Sequence, residues 1–178
     1  MINRRDLIAI LGAGVTAAEL EAFQHAAHRV QSAPQDYKLQ FFSEAENLLL
    51  DEVAEMILPA DNRSPGARAA KVSLYIDLVV ANSAPAKQAE WRSQLAAFDR
   101  AGSALFLKLS AKDRAALLDR LAEAERNPSN DAERFFVAMK RMTLAGYYTS
   151  EIGFRQEFQR KSPEVLVEFP GACRDTRL

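Results

Sequence analysis

The 178-residue sequence has little of several residue types, and each shortage excludes a class of structure or site. One cysteine and two histidines are too few for a structural zinc site, and a single cysteine cannot form a disulfide within the chain. A formal net charge of -1 argues against an extended phosphate-binding surface, so nucleic acid is not an expected partner. Only seven glycines and seven prolines, beside 48% hydrophobic and 26% charged residues, favour a helical globular domain.

The first 33 residues have the layout of a bacterial export signal. Arg4 and Arg5 stand just before a short apolar run over residues 7–18. Paired arginines in that position are typical of the twin-arginine route, which exports proteins that have already folded. The run is well short of the roughly 20 residues that span a bilayer, so we expect no stable membrane span. We therefore predict an export signal over residues 1–33, a linker over residues 34–40, and a periplasmic or otherwise exported protein.

Two features of this N-terminal stretch have alternative interpretations. Gly12-Ala13-Gly14 follows an apolar run, as does the glycine-rich turn of a dinucleotide-binding fold. That fold needs a second β-strand, and residues 32–36 contain no apolar run, so a signal or a plain N-terminal helix fits better. His25 and His28 have the spacing of metal ligands on a helix, but no third ligand is near, so no metal site is predicted.

Beyond the linker, the sequence predicts an all-α domain over residues 41–173, built as a single helical bundle of about five to six helices. Ser43 and Glu46 have the spacing of a helix capping box, and Pro59 ends the first helical pattern. Each later pattern has one apolar stripe, as helices that share a core require. These helices are predicted over residues 67–81, from Pro85 through Leu109 with Gly102 as a point of close packing or a break, from Ser110, and from Asp131 into Gly146. An extended arm from Ser162 and a tail over residues 174–178 complete the prediction.

The stretch from Gly146 to Gly153 is the best candidate for a functional site. Its glycines bracket two tyrosines, two hydroxyls and the carboxylate of Glu151, where a long helical pattern ends. If the helix persists, Tyr147 and Glu151 share a face, and Glu151 is the candidate for acid–base chemistry. An ordinary helix end has the same features. We therefore expect this stretch to end the helix and to present Tyr147, Tyr148 and Glu151 either to the bundle or to a partner.

The rest of the chain offers no nucleophile with a base beside it. Cys173 has no neighbouring histidine, so a structural thiol or an interchain disulfide is expected rather than catalysis. Trp91 is the one tryptophan and is either a core residue or a binding anchor. The sequence thus predicts no catalytic, cofactor-binding or metal-binding residues. The candidates for partner binding are Tyr147, Tyr148, Glu151 and Trp91.

A linked series of motifs covers about residues 41–173. Its members are Phe41-Phe42-Ser43-Glu44, Ile57-Leu58-Pro59-Ala60-Asp61, Ser64-Pro65-Gly66-Ala67, Tyr75-Ile76-Asp77, Glu133-Arg134-Phe135-Phe136, Gly146 to Gly153, and Phe169-Pro170-Gly171. The series resembles the gluconate 2-dehydrogenase subunit 3 family, and its order and spacing carry the resemblance more than any one motif does.

The resemblance implies a small, non-catalytic subunit that binds a large dehydrogenase of the glucose-methanol-choline type. That partner would carry FAD, oxidise a sugar or another alcohol, and pass electrons to an acceptor such as a cytochrome c subunit. The small subunit would assist the folding of the partner and its passage through the twin-arginine export machinery. The pair would then lie in the periplasm, peripheral to the inner membrane through their partners. Ala172 separates Gly171 from Cys173 here, whereas family members often have the cysteine directly after the glycine.

Two other functions are consistent with the same residues. The first is a stand-alone periplasmic helical protein that binds or scaffolds without a dehydrogenase. The second is an enzyme centred on Glu151, in which case Glu151→Gln would abolish activity without disturbing assembly.

Overall fold

A computed structural model describes residues 37–157, with the backbone alone for residues 156 and 157. This part of the chain contains five α-helices and two short helical turns, and it contains no strand. The elements are α1 (Glu44–Ile57), α2 (Val72–Ala81), α3 (Pro85–Asp99), a 3-10 turn (Phe106–Lys108), α4 (Ala111–Glu123), α5 (Asp131–Thr149) and a π-helical turn (Gly153–Glu157). The predicted all-α bundle is therefore confirmed.

Local signals in the sequence set most helix starts. The Ser43 side chain accepts from the backbone of Glu46 while the Glu46 carboxylate accepts from Ser43, which completes the predicted capping box. Ser110 caps α4 through the backbone N–H of Asp113. Asn130 caps α5 through the N–H of Glu133, and Pro85 lies in the first turn of α3.

Helix α2 is shorter than predicted, because it begins at Val72 and not at Ala67. The backbone N–H of Ala67 bonds to the carbonyl of Leu58, 2.9 Å away, and the N–H of Arg68 bonds to the Glu55 carboxylate, 2.8 Å away. Lys71 then takes a left-handed conformation with φ 55°, which no continuous α-helix can contain. Contacts with α1 thus override the helical pattern of residues 67–71.

Helix α3 also ends earlier than predicted, at Asp99. The Asp99 carboxylate accepts from the N–H of Phe106 at 3.0 Å, so the chain turns back on the helix. The Phe106 ring lies 5.0 Å from the Phe98 ring. Phe106 in the 3-10 turn therefore packs into the bundle core beside α3, although the helix itself has ended.

Helix α5 is the central element, and it contacts each of the other four α-helices. Phe135 and Met139 on α5 are fully buried, and the Phe135 ring lies 4.7 Å from Phe98. Burial of each such side chain stabilises the fold by about 1.5–3 kcal/mol. None of the helices within residues 37–157 is long and apolar enough to cross a membrane.

Several predicted features lie outside the described residues. They are the export signal with Arg4 and Arg5, the histidines His25 and His28, the C-terminal arm, and Cys173.

Candidate docking surface at the end of helix α5

Gly146 lies inside α5 and does not end it. A Cβ atom at this position would stand 2.6 Å from Cδ1 of Tyr75, a separation that van der Waals repulsion forbids. Glycine therefore lets α5 approach the ring of Tyr75 on α2. The helix continues to Thr149, and Ser150 takes the extended conformation of the C-terminal cap.

Tyr147 points into the bundle. Its side chain is fully buried, and its hydroxyl donates to the carbonyl oxygen of Pro65 at 2.7 Å and shares a second hydrogen bond with the Ser64 hydroxyl. Two motifs that are far apart in the sequence therefore meet, because Tyr147 fastens the loop between α1 and α2 to α5. Because its side chain is buried, Tyr147 supports the end of α5 from inside the bundle and is not itself available to a partner in this conformation.

The chain stays tightly packed after α5. The N–H and the hydroxyl of Ser150 both donate to the carbonyl of Tyr147, at 3.0 and 2.6 Å, and the hydroxyl accepts from the N–H of Gly153 at 3.0 Å. A Cβ atom at Gly153 would overlap sterically with the carbonyl oxygen of Tyr147 and would lie 3.1 Å from Cα of Tyr148. The second glycine of the stretch is thus required by the approach of two backbone segments.

Glu151 reaches the surface, whereas Tyr148 does so only in part, because its hydroxyl is buried and it packs against the core. Tyr148 is half-buried, with its ring edge-on to Tyr147 at a centroid distance of 5.4 Å. The Glu151 side chain is 60% exposed and pairs with Arg155 at 3.1 Å. Ile152 beside them is also half-buried. We call the four side chains of Tyr148, Glu151, Ile152 and Arg155 the α5-end surface.

Trp91 is a core residue, with 4% of its surface exposed. Its ring stands edge-on between Phe42 at 6.1 Å and Phe135 at 5.8 Å. Of the four partner-binding candidates, Trp91 and Tyr147 are therefore internal, Tyr148 is accessible in part and Glu151 is accessible.

The geometry around Glu151 does not resemble an acid–base site. Its carboxylate is 60% exposed and pairs with the equally exposed Arg155, which is the arrangement of an ordinary surface ion pair and not of an enclosed catalytic cleft. No group of three potential metal ligands lies within residues 37–157. Asp61, another carboxylate in a motif, accepts from the N–H groups of Arg63 and Ser64 at 2.8 Å each, and so stabilises its own loop.

Asp77 is a further structural residue that was not among the predicted site residues. This carboxylate is fully buried in α2 and accepts four hydrogen bonds from the segment that precedes α1. The donors are the Tyr37 hydroxyl at 2.8 Å and the backbone N–H groups of Gln40 at 2.8 Å, Phe41 at 3.0 Å and Phe42 at 2.8 Å. A single acid within the otherwise apolar run from Leu74 to Val80 was the signal for such a role.

Arg92 of α3 holds the same segment from the other side. Its guanidinium donates to the Phe41 carbonyl and to the Glu46 carboxylate, and it lies 4.1 Å from the centre of the Phe41 ring. Burial, together with the hydrogen bond to Asp77, raises the pKa of the Tyr37 phenol. The predicted linker thus has its last residues, from Tyr37 to Gln40, attached to the bundle.

The described residues form an all-α bundle, and several of the motifs singled out in the sequence join its helices and loops to one another. A family model described as Gluconate 2-dehydrogenase subunit 3 matches residues 44–171, more than two thirds of the chain. The chain belongs to the gluconate 2-dehydrogenase subunit 3 family, as its motifs indicated. Neither the curated proteins nor the solved structures gave a match.

Proposed function

We propose that this chain is a non-catalytic small subunit that binds a flavin-dependent dehydrogenase of the glucose-methanol-choline type. The family match over residues 44–171 carries the proposal, because the family is named as the third subunit of a dehydrogenase. FAD and the chemistry of alcohol or sugar oxidation belong to the large partner, and a cytochrome c subunit is the expected electron acceptor.

The α5-end surface is the proposed contact with the large subunit. Tyr148 offers an aromatic ring that is already held in place by Tyr147, so little side-chain entropy is lost when it is covered. Aromatic residues in such a position dominate the binding energy of many interfaces. Glu151 and Arg155 provide a polar rim beside the ring.

The proposed assembly extends to export. Arg4 and Arg5 would direct the folded pair to the twin-arginine machinery, so that the large subunit crosses the membrane as a passenger. The complex would then work in the periplasm. Cys173 is the candidate for a disulfide between the two subunits in that oxidising compartment.

Expression of a flavin-dependent dehydrogenase of the proposed type from the same genome, with and without this chain, tests the proposal. We expect soluble, FAD-loaded dehydrogenase in the periplasm only when the chain is present. Equal yield, flavin content and location in both cases would contradict the accessory role. Oxidation of sugars with dye acceptors by the purified chain alone would instead support the enzyme centred on Glu151.

A further inference from the structure

Residues 37–42, which we call the latch, are attached to the bundle by hydrogen bonds to one buried carboxylate, Asp77, and by a further hydrogen bond from Arg92 to the Phe41 carbonyl. Within the described residues, every hydrogen bond that Asp77 accepts comes from the latch, through one phenol and three backbone N–H groups. Asp77 lies between the buried side chains Ile76 and Leu78 and has no exposed surface. An ionised carboxylate in such surroundings is stable only while its donors are in place.

This dependence makes the attachment cooperative. Three consecutive N–H groups converge on one carboxylate, as in the backbone nests that bind anions. Loss of one donor exposes the remaining charge to an apolar environment, which favours release of the whole latch over gradual fraying. The closed latch also covers part of the core, because Phe42 is 3% exposed and its ring packs against Trp91.

The receptor for the latch is assembled from three helices. Asp77 belongs to α2, Arg92 and Trp91 belong to α3, and Glu46, which orients Arg92, belongs to α1. No one helix supplies the site. The latch can therefore close only after these helices have packed together.

We propose that residues 37–42 close onto the bundle only when its fold is complete, with Asp77 as their receptor. In an unfinished bundle the latch is open, and in a finished bundle the chain is attached from Tyr37 onward. The connection of this device to export rests on the proposed function, but the device itself does not.

Limited proteolysis of the full chain with trypsin tests the latch. Lys38 is exposed and lies inside the latch, so the bond after Lys38 is cut only when several residues around it become extended. Asp77→Asn keeps the shape of the side chain but replaces one acceptor by an NH₂ group that faces N–H donors. We expect about tenfold faster cutting at Lys38 in this variant, with cutting elsewhere in the bundle little changed.

Two further variants separate latch opening from general instability. Tyr37→Phe removes one hydrogen bond without touching α2, and it should also accelerate cutting at Lys38 if Asp77→Asn fails to fold. Leu121→Ala weakens the core at α4, far along the chain from the latch, and should not accelerate cutting at Lys38 selectively. Equal cutting at Lys38 in wild type, Asp77→Asn and Tyr37→Phe, or an equal selective effect of Leu121→Ala, would overturn the proposal. Neither result depends on a partner or on export, so the proposed function stands or fails separately.

Discussion

The hydroxyl of Tyr147 donates a hydrogen bond to the carbonyl oxygen of Pro65, 2.7 Å away, and so joins two motifs separated by 82 residues of chain. The same hydroxyl bonds to Ser64. This contact holds the loop at Ser64-Pro65-Gly66 against the end of α5 at Gly146-Tyr147-Tyr148. It also explains why the surface at the end of α5 is well supported.

Tyr147→Phe is expected to lower the free energy of unfolding by about 1–3 kcal/mol, because the partly buried Pro65 carbonyl and the buried Ser64 hydroxyl lose their partner. Urea denaturation followed by circular dichroism measures the change. Ser64→Ala and the double variant complete a mutant cycle. We expect the two effects to be less than additive, since both variants break one shared contact. Full additivity would show that the Ser64–Tyr147 hydrogen bond contributes little, and an unchanged stability of Tyr147→Phe would show that Tyr147 stabilises the fold through its ring alone.

Gly146→Ala is expected to destabilise the protein by about 1–3 kcal/mol, since the new methyl group would overlap the Tyr75 ring. In an unconstrained helix the same change stabilises by about 0.5–1 kcal/mol, so the sign of the effect is the test. Thermal unfolding gives that sign. Combination with Tyr75→Leu, which removes the ring, should reduce the penalty that Gly146→Ala adds.

The capping box predicts a stability that depends on pH. Burial acts to raise the pKa of Glu46, but hydrogen bonds from Arg92 and Ser43 outweigh it and hold the pKa below its ordinary value of 4.5. A carboxyl group whose pKa is lower in the folded state stabilises the fold above 4.5, and this stabilisation is lost as the pH falls through the folded pKa. Glu46→Gln should therefore cost about 0.5–2 kcal/mol at neutral pH and almost nothing in strong acid. A cost that is the same at both pH values would contradict this assignment.

Replacement of Arg4 and Arg5 by lysine tests the proposed export route. We expect the chain and its flavoprotein partner to remain in the cytoplasm together, with the complex still assembled. Cell fractionation and immunoblotting of both subunits measure this. Arg29→Lys, which changes an arginine outside the pair, is the matched control and should leave export unchanged. Normal export of the double variant would contradict the twin-arginine assignment without affecting the proposed binding.

Tyr148→Ala is expected to weaken binding of the large subunit at least about tenfold, because it removes the partly accessible aromatic ring of the α5-end surface. Tyr148→Phe keeps the ring and should bind nearly as well as wild type. Lys112→Ala, on the exposed side of α4, controls for unrelated surface changes. Titration by isothermal calorimetry measures all three. Equal affinity across the series would place the contact on another surface of the bundle.

The sequence predicts features that local chemistry decides. Ser43, Ser110 and Pro85 mark helix starts because their effects operate within one turn of the chain. The exact end of α3 and the late start of α2 escaped prediction, because side-chain contacts decide them: Asp99 accepts from Phe106, and Glu55 accepts from Arg68.

The arrangement of the candidate site could not be predicted from the sequence. The sequence indicated the Gly146 to Gly153 stretch, yet no spacing rule reveals that Tyr147 reaches a loop 82 residues away while Tyr148 stays at the surface. Asp77 was recognisable as an acid in an apolar run. Its donors, however, lie 35 to 40 residues earlier in the chain, and only the packed structure brings them together.

The most direct test of the central claim is co-elution of this chain with a flavin-dependent dehydrogenase of the proposed type, co-expressed from the same genome. Size-exclusion chromatography with protein and flavin absorbance follows both components. We predict one peak that contains both chains and the flavin, and no dehydrogenase activity in the small chain alone. Two separate peaks, with flavin and full activity in the large chain only, would contradict the assignment of this protein as a binding subunit.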